Sequence, residues 1–128
     1  MLVAVALLAP VAAAAQNASY TTAQAEAGSR AYQTGACVSC HMPDLTGAGD
    51  APALTGAQFA NSWGGGAVAS LLSFMKESMP ATAPGSLSDE TYVNLGAYLL
   101  SMNGVAPGLV PLAMGSSGTI VMGEIGKD

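Results

Sequence analysis

Both cysteines of this 128-residue chain and its single histidine fall within five positions, Cys37-Val-Ser-Cys40-His41. No other segment gathers so much chemistry, and the composition makes that cluster matter to folding. The chain is 51% hydrophobic but only 5% aromatic, with 16 glycines and 7 prolines, and much of the apolar fraction is alanine. Alanine fills little volume, so a domain of this length has a thin core if it relies on its own side chains. A group held covalently at the cluster would supply the missing apolar area. A single domain is expected, because 128 residues is short for two.

Three chemistries use cysteines at this spacing. A structural zinc site needs four nitrogen or sulfur ligands, and the chain holds two cysteines and one histidine in all. A thioredoxin-type dithiol wants a βαβ setting, and no strand alternation precedes residue 105. C-x-x-C-H is the spacing at which two thiols form thioethers with the haem vinyl groups while the adjacent imidazole reaches the iron. One helical turn brings the three side chains to one porphyrin edge and its centre. The expected cofactor is one covalent haem c, attached through Cys37 and Cys40 and ligated by His41.

With the only histidine spent on the iron, the sixth ligand is a methionine, a lysine, a terminal amine, a water or nothing. Seven methionines are available. Met1 would leave with an export signal, Met42 adjoins His41 and cannot swing to the opposite face, and Met75 belongs to an apolar helical stripe. Met102 ends a helix, and Met114 and Met122 lie in an irregular tail. Met79 stands directly before Pro80, which stiffens the turn and keeps the thioether out of helical packing. Met79 is the expected distal ligand.

The charge balance, 3 Lys+Arg against 8 Asp+Glu, gives a formal −5. That balance argues against nucleic acid and against electrostatic binding to anionic membranes. Residues 1–15 are apolar and uncharged, and Ala13-Ala14-Ala15 offers a cleavage site, so this segment is expected to be an export signal. It is short and has no leading cation, which a start site placed too late would explain. The competing reading, a retained anchor, needs ~20 apolar residues. The expected location is therefore periplasmic, in association with a membrane complex if the protein is a fixed subunit.

Helices are expected from about Thr22 to Thr34, capped by Thr21 or Thr22 with Glu26 in an early turn, and from about Ala67 to Ser78. The second carries Val68, Leu71, Leu72 and Met75 on one face. A third follows Ser88 and ends near Met102. Residues 16–104 form an all-α domain in this reading. Residues 105–128 are too rich in glycine and proline for a long helix and are expected to lie as an irregular extension over the domain's own surface, with a docking arm as the alternative. Within the extension, residues 119–122 lean towards an extended pairing segment.

Cys37 to His41, Gly-Asp-Ala-Pro-Ala-Leu at 49–54, Ser78-Met79-Pro80 and Tyr92 to Gly104 together resemble a class I cytochrome c. The Trp63-x-Gly step and the Met-Pro…Pro-Gly-Ser-Leu-Ser stretch at 79–88 are similar to small cytochromes serving PQQ-dependent alcohol and sugar dehydrogenases. The resemblance covers about Ala23 to Gly104. It implies a cytochrome c fold of three to four helices around the haem. It implies further that the Pro52 carbonyl accepts the His41 Nδ1 proton and that Leu54 packs on the haem. It implies a Trp63 indole hydrogen-bonded to a propionate, against which ordinary core packing weighs equally. Gly28 and Gly96, with Tyr32 and Tyr98, would permit a close crossing of the first and last helices.

The function expected from these residues is single-electron transfer between a dehydrogenase and a respiratory oxidase or cytochrome, with no catalytic residues and no integral membrane span in the mature chain. Two alternatives stay open. One is a haem-bearing subunit fixed within an oxidoreductase complex. The other is a sensor or peroxidase-like protein with an open sixth position.

Overall fold

The computed structural model describes residues 1–6 and 16–123. Most of the proposed export signal, including Ala13 to Ala15, lies outside the described residues. Among the described residues five helices follow in order: α1 Thr22–Thr34, α2 Cys37–His41, α3 Gly56–Trp63, α4 Val68–Ser78 and α5 Asp89–Met102. Among the described residues there is no strand beyond isolated bridge pairs. No described helix is long and apolar enough to cross a membrane.

Local chemistry explains the boundaries. Thr21 and Gln24 form a reciprocal capping box at the start of α1, and Gly35 ends it in extended backbone. Glu26 lies beyond the first turn, which holds no acidic residue, so the expected dipole contribution is absent there. The Ser88 hydroxyl accepts the Thr91 N–H to start α5, with Asp89 and Glu90 in its first turn. Helix α3 covers a stretch that neither periodicity nor capping marks, since Thr55 makes no side-chain cap bond.

The core sits where α1 and α4 pack against α5. Val68, Leu71, Leu72 and Met75, the predicted stripe of α4, are all buried, and each such side chain contributes roughly 1.5–3 kcal/mol. Tyr32 of α1 and Tyr98 of α5 meet with ring centroids 5.4 Å apart. The two helix-interior glycines divide their work differently from the expectation. A Cβ on Gly28 would stand 1.8 Å from the Asn94 carbonyl oxygen of α5, so Gly28 does make the α1–α5 approach. A Cβ on Gly96 would instead meet Leu72 Cδ2 of α4 at 2.4 Å and Leu112 Cδ2 of the extension at 3.6 Å. Gly96 therefore serves the opposite face of α5.

The extension is packed. Leu112 and Ile120 are buried with the core. Thr119 donates to Gln16 O and accepts from Ala18 N, while Ile120 and residues 65 and 66 exchange two backbone hydrogen bonds. The extended pairing expected at 119–122 thus forms around Thr119 and Ile120, between the start of the described domain and the turn before α4.

Candidate haem site

Helix α2 is the five-residue turn Cys37-Val-Ser-Cys40-His41, held against the end of α1 by the short link through Gly35 and Ala36. His41 is buried, and its Nδ1 lies 2.8 Å from the Pro52 carbonyl oxygen. An Nδ1–H donated there fixes the ring plane and raises the basicity of Nε2, the nitrogen left for a metal. The turn after the histidine is tight: Met42 has φ +68° and Leu45 φ +63°. Such conformations cost of order 1–3 kcal/mol for residues with side chains and persist where surroundings enforce them. Here the Tyr32 hydroxyl donates to Met42 O at 2.6 Å, Leu45 N to the same oxygen at 3.1 Å, and Gly47 N to His41 O at 2.9 Å.

The loop that supplies Pro52 is itself tied down. Leu54 N donates to Leu45 O at 2.8 Å, and Ala53 N donates to Gln58 Oε1 of α3 at 3.1 Å. Asn103, fully buried at the end of α5, donates through Nδ2 to Leu54 O at 2.9 Å and Leu99 O at 2.8 Å, and accepts from Gly56 N at 3.2 Å. Two of these bonds fasten the loop to the end of α5, and the third, to Leu99 O, holds the amide in place to make them. Sequence reasoning missed Asn103. The asparagine next to Gly104 reads there as a helix stop, and only the fold brings residues 54 and 56 beside it.

Opposite α2 lies the loop after α4. Met79 ends that helix in extended backbone, its N–H bonded to Met75 O at 2.8 Å, and the Met79–Pro80 peptide bond is cis. A cavity of about 270 Å³ opens between the two segments, lined on one side by Cys37 and on the other by Pro80, Ala83 and Leu87, with Leu95 of α5 on its floor. Cys37 is half-buried and Cys40 exposed. Burial pushes the Cys37 thiol above its ordinary range, partly offset by a backbone hydrogen bond.

The other predicted site residues are distributed as follows. Leu54 and Trp63 are partly buried and pack against the core. Trp63 also stacks on Phe74 of α4 at 5.3 Å. Met75 is buried in the core. Among the described residues, no three histidine, cysteine or acidic side chains are grouped to hold a metal ion by themselves. The donor set suits a haem instead. The Cys37 thiol lines a largely apolar cleft with Cys40 one helical turn further on, a buried imidazole is fixed through its outer nitrogen, and a methionine stands at the start of the facing loop.

A helical domain with C-x-x-C-H on its own short helix, a carbonyl-fixed histidine and an apolar cleft lined by the first of the two cysteines defines a class I c-type cytochrome. Residues 23–99 match the family model of cytochrome C oxidase, cbb3-type, subunit III, more than half of the chain, and the chain belongs to this family of cytochrome c domains. Neither the curated proteins nor the solved structures contain a match. Membership establishes a covalent haem c and haem-based electron transfer with redox-protein partners, and makes the chain an electron-transfer protein rather than an enzyme.

Proposed function

We propose that the chain is an exported, periplasmic single-electron carrier with His41 and Met79 as axial ligands. In this reading it takes electrons from a dehydrogenase, PQQ-dependent enzymes being the leading class, and delivers them to a respiratory acceptor. The observation that carries the reading is a cleft lined both by Cys37 and by the loop following Met79. When bound, haem supplies a one-electron ferric–ferrous couple, and a methionine opposite a histidine raises its potential. The chain's own residues do the rest. Pro52 orients the imidazole, Tyr32 and Asn103 hold the loops around it, and the apolar wall of Leu87 and Leu95 excludes water.

Ligation is tested by two substitutions. Met79→Ala should abolish the weak long-wavelength band of methionine-ligated ferric haem and lower the potential. Met75→Ala should keep the band and cost roughly 2–5 kcal/mol through a core cavity. The reverse pattern would move the ligand to Met75. The carrier role is tested by reducing the purified protein with a PQQ-dependent dehydrogenase and following its reoxidation by respiratory membranes. No turnover in either half-reaction would refute it.

The family's name favours a second reading, a subunit fixed within an oxidase complex. In that case the native protein would remain with a detergent-solubilised oxidase through size-exclusion chromatography, whereas a carrier would separate from it.

A further inference from the structure

We propose that Tyr92 is a positioning residue for the distal ligand, its buried hydroxyl stapling together the two ends of the loop that presents Met79. The proposal rests on Met79 being that ligand. Tyr92 sits one turn into α5 with its side chain 1% exposed. Its Oη donates to Met79 O at 2.7 Å and lies 3.4 Å from Leu87 N, which donates to it across a longer contact. One oxygen thus joins the first residue of the loop to its last. Between them the chain makes only the short turn bonds Ala83 N to Pro80 O at 2.8 Å and Ser86 N to Ala83 O at 3.2 Å.

The Met79 backbone is consequently fixed from both directions. Its N–H closes the last turn of α4 on Met75 O, and its carbonyl, left over by the end of the helix, takes the phenol proton. Without that donor the carbonyl would have to open towards solvent and carry the residue's side chain with it. The Lys76–Asp89 ion pair at 2.6 Å also ties the end of α4 to the start of α5, with both side chains about half exposed. An exposed pair of this kind contributes little. The tyrosine is itself held in place, because the Ser88 cap fixes the turn of α5 from which it projects.

Covalent attachment through Cys37 and Cys40 keeps the haem in place in every variant, so ligand exchange at the distal position can be read directly. Tyr92→Phe keeps the ring and removes only the hydroxyl. In the ferric protein it should raise the affinity for added imidazole about fivefold, the worth of one ordinary hydrogen bond, and weaken the methionine–iron band at neutral pH. Tyr98→Phe, which also removes a hydroxyl from α5 but one that does not bond the loop, serves as the control for hydroxyl loss in itself. Its imidazole affinity should stay at the wild-type value. Equal imidazole affinities in wild type and Tyr92→Phe, or equal increases in both variants, would overturn the proposal.

Met79→Ala in the same titration separates the two ideas. If its band survives, the ligand assignment fails; if its band is lost while Tyr92→Phe behaves as wild type, the staple alone fails. A second measurement needs no variant. The Tyr92 hydroxyl proton of the reduced wild-type protein should exchange slowly enough to be seen by nuclear magnetic resonance, and rapid exchange with water would count against the staple.

Discussion

Gly28→Ala is the most demanding test of how α1 and α5 meet. Judged by helix propensity alone, the substitution is stabilising by about 1 kcal/mol. The structure opposes that gain with an added Cβ placed 1.8 Å from Asn94 O, 2.5 Å from Asn94 C and 2.8 Å from Tyr98 Cβ. The first two are backbone atoms and cannot rotate aside. Helix α1 would have to retreat by roughly 1 Å or more to restore ordinary contact, loosening the Tyr32–Tyr98 stack as it moved. Overpacking against unyielding atoms lies at the upper end of the usual range, about 3 kcal/mol, and subtracting the propensity gain leaves a net loss of about 2 kcal/mol. For a domain of this size that corresponds to a fall in Tm of roughly 8–12 °C. Gly96→Ala meets only the end of the Leu72 side chain, which can turn, so its net cost should be below about 1 kcal/mol. Thermal unfolding of both ferric holoproteins, followed by circular dichroism of the helices, decides between the accounts. A Gly28→Ala protein as stable as wild type, or a larger loss for Gly96→Ala, would refute the reasoning.

Three further outcomes are expected. Cys37→Ala and Cys40→Ala each remove one thioether and should weaken or abolish haem retention on a denaturing gel stained for haem; full retention in both would contradict covalent attachment at this motif. Burial above all, with smaller contributions from Tyr98 and Asp44, pushes the Tyr32 phenol up to about 12 from its ordinary 10.0. A raised folded-state value means the folded protein keeps a proton that the unfolded chain releases. Its contribution is therefore complete below about pH 10 and lost towards pH 12, and Tyr32→Phe should flatten the decline in denaturation midpoint over that interval. Residues 80–88, which supply one wall of the cleft, carry no charge, and Asp44, Asp50 and Glu77 are the acidic residues close in sequence to the haem-binding loops, within a chain of formal charge −5. Stopped-flow reduction by a dehydrogenase should accordingly vary little with ionic strength, as apolar docking at the haem edge requires. A rate that climbs steeply with salt would reveal like-charge repulsion and disqualify that donor.

Much of this was legible in the sequence where information is local. The stripe of α4, the caps of α1 and α5 and the C-x-x-C-H turn depend on neighbours a few residues apart, and the structure reproduces them. Helix α3 was not legible, because its two large apolar residues, Phe59 and Trp63, make one i, i+4 pair between glycines. Tyr92 and Asn103 escaped notice for a different reason. Each is an ordinary polar residue in or at the end of α5 whose partners in the loops lie 5 to 49 positions away, and only the packed chain reveals what its hydrogen bonds hold. Gly96 misled because a helix-interior glycine announces a close neighbour without naming the face on which it lies.

The packing of residues 112–120 separates two units that are easily confused. The family signature ends at residue 99 and α5 at Met102, so an excised domain for structural or engineering work would naturally stop near Gly104. Such a fragment would strip Leu112 from over Gly96 and Ile120 from beside residues 65 and 66, leaving an oily scar on the face of α5 turned away from α1. A fragment that keeps these contacts reaches at least to Ile120. Gln16 and Thr119, close to the two ends of such a piece, are hydrogen-bonded neighbours, so a short linker could join the ends into a ring away from the haem cleft.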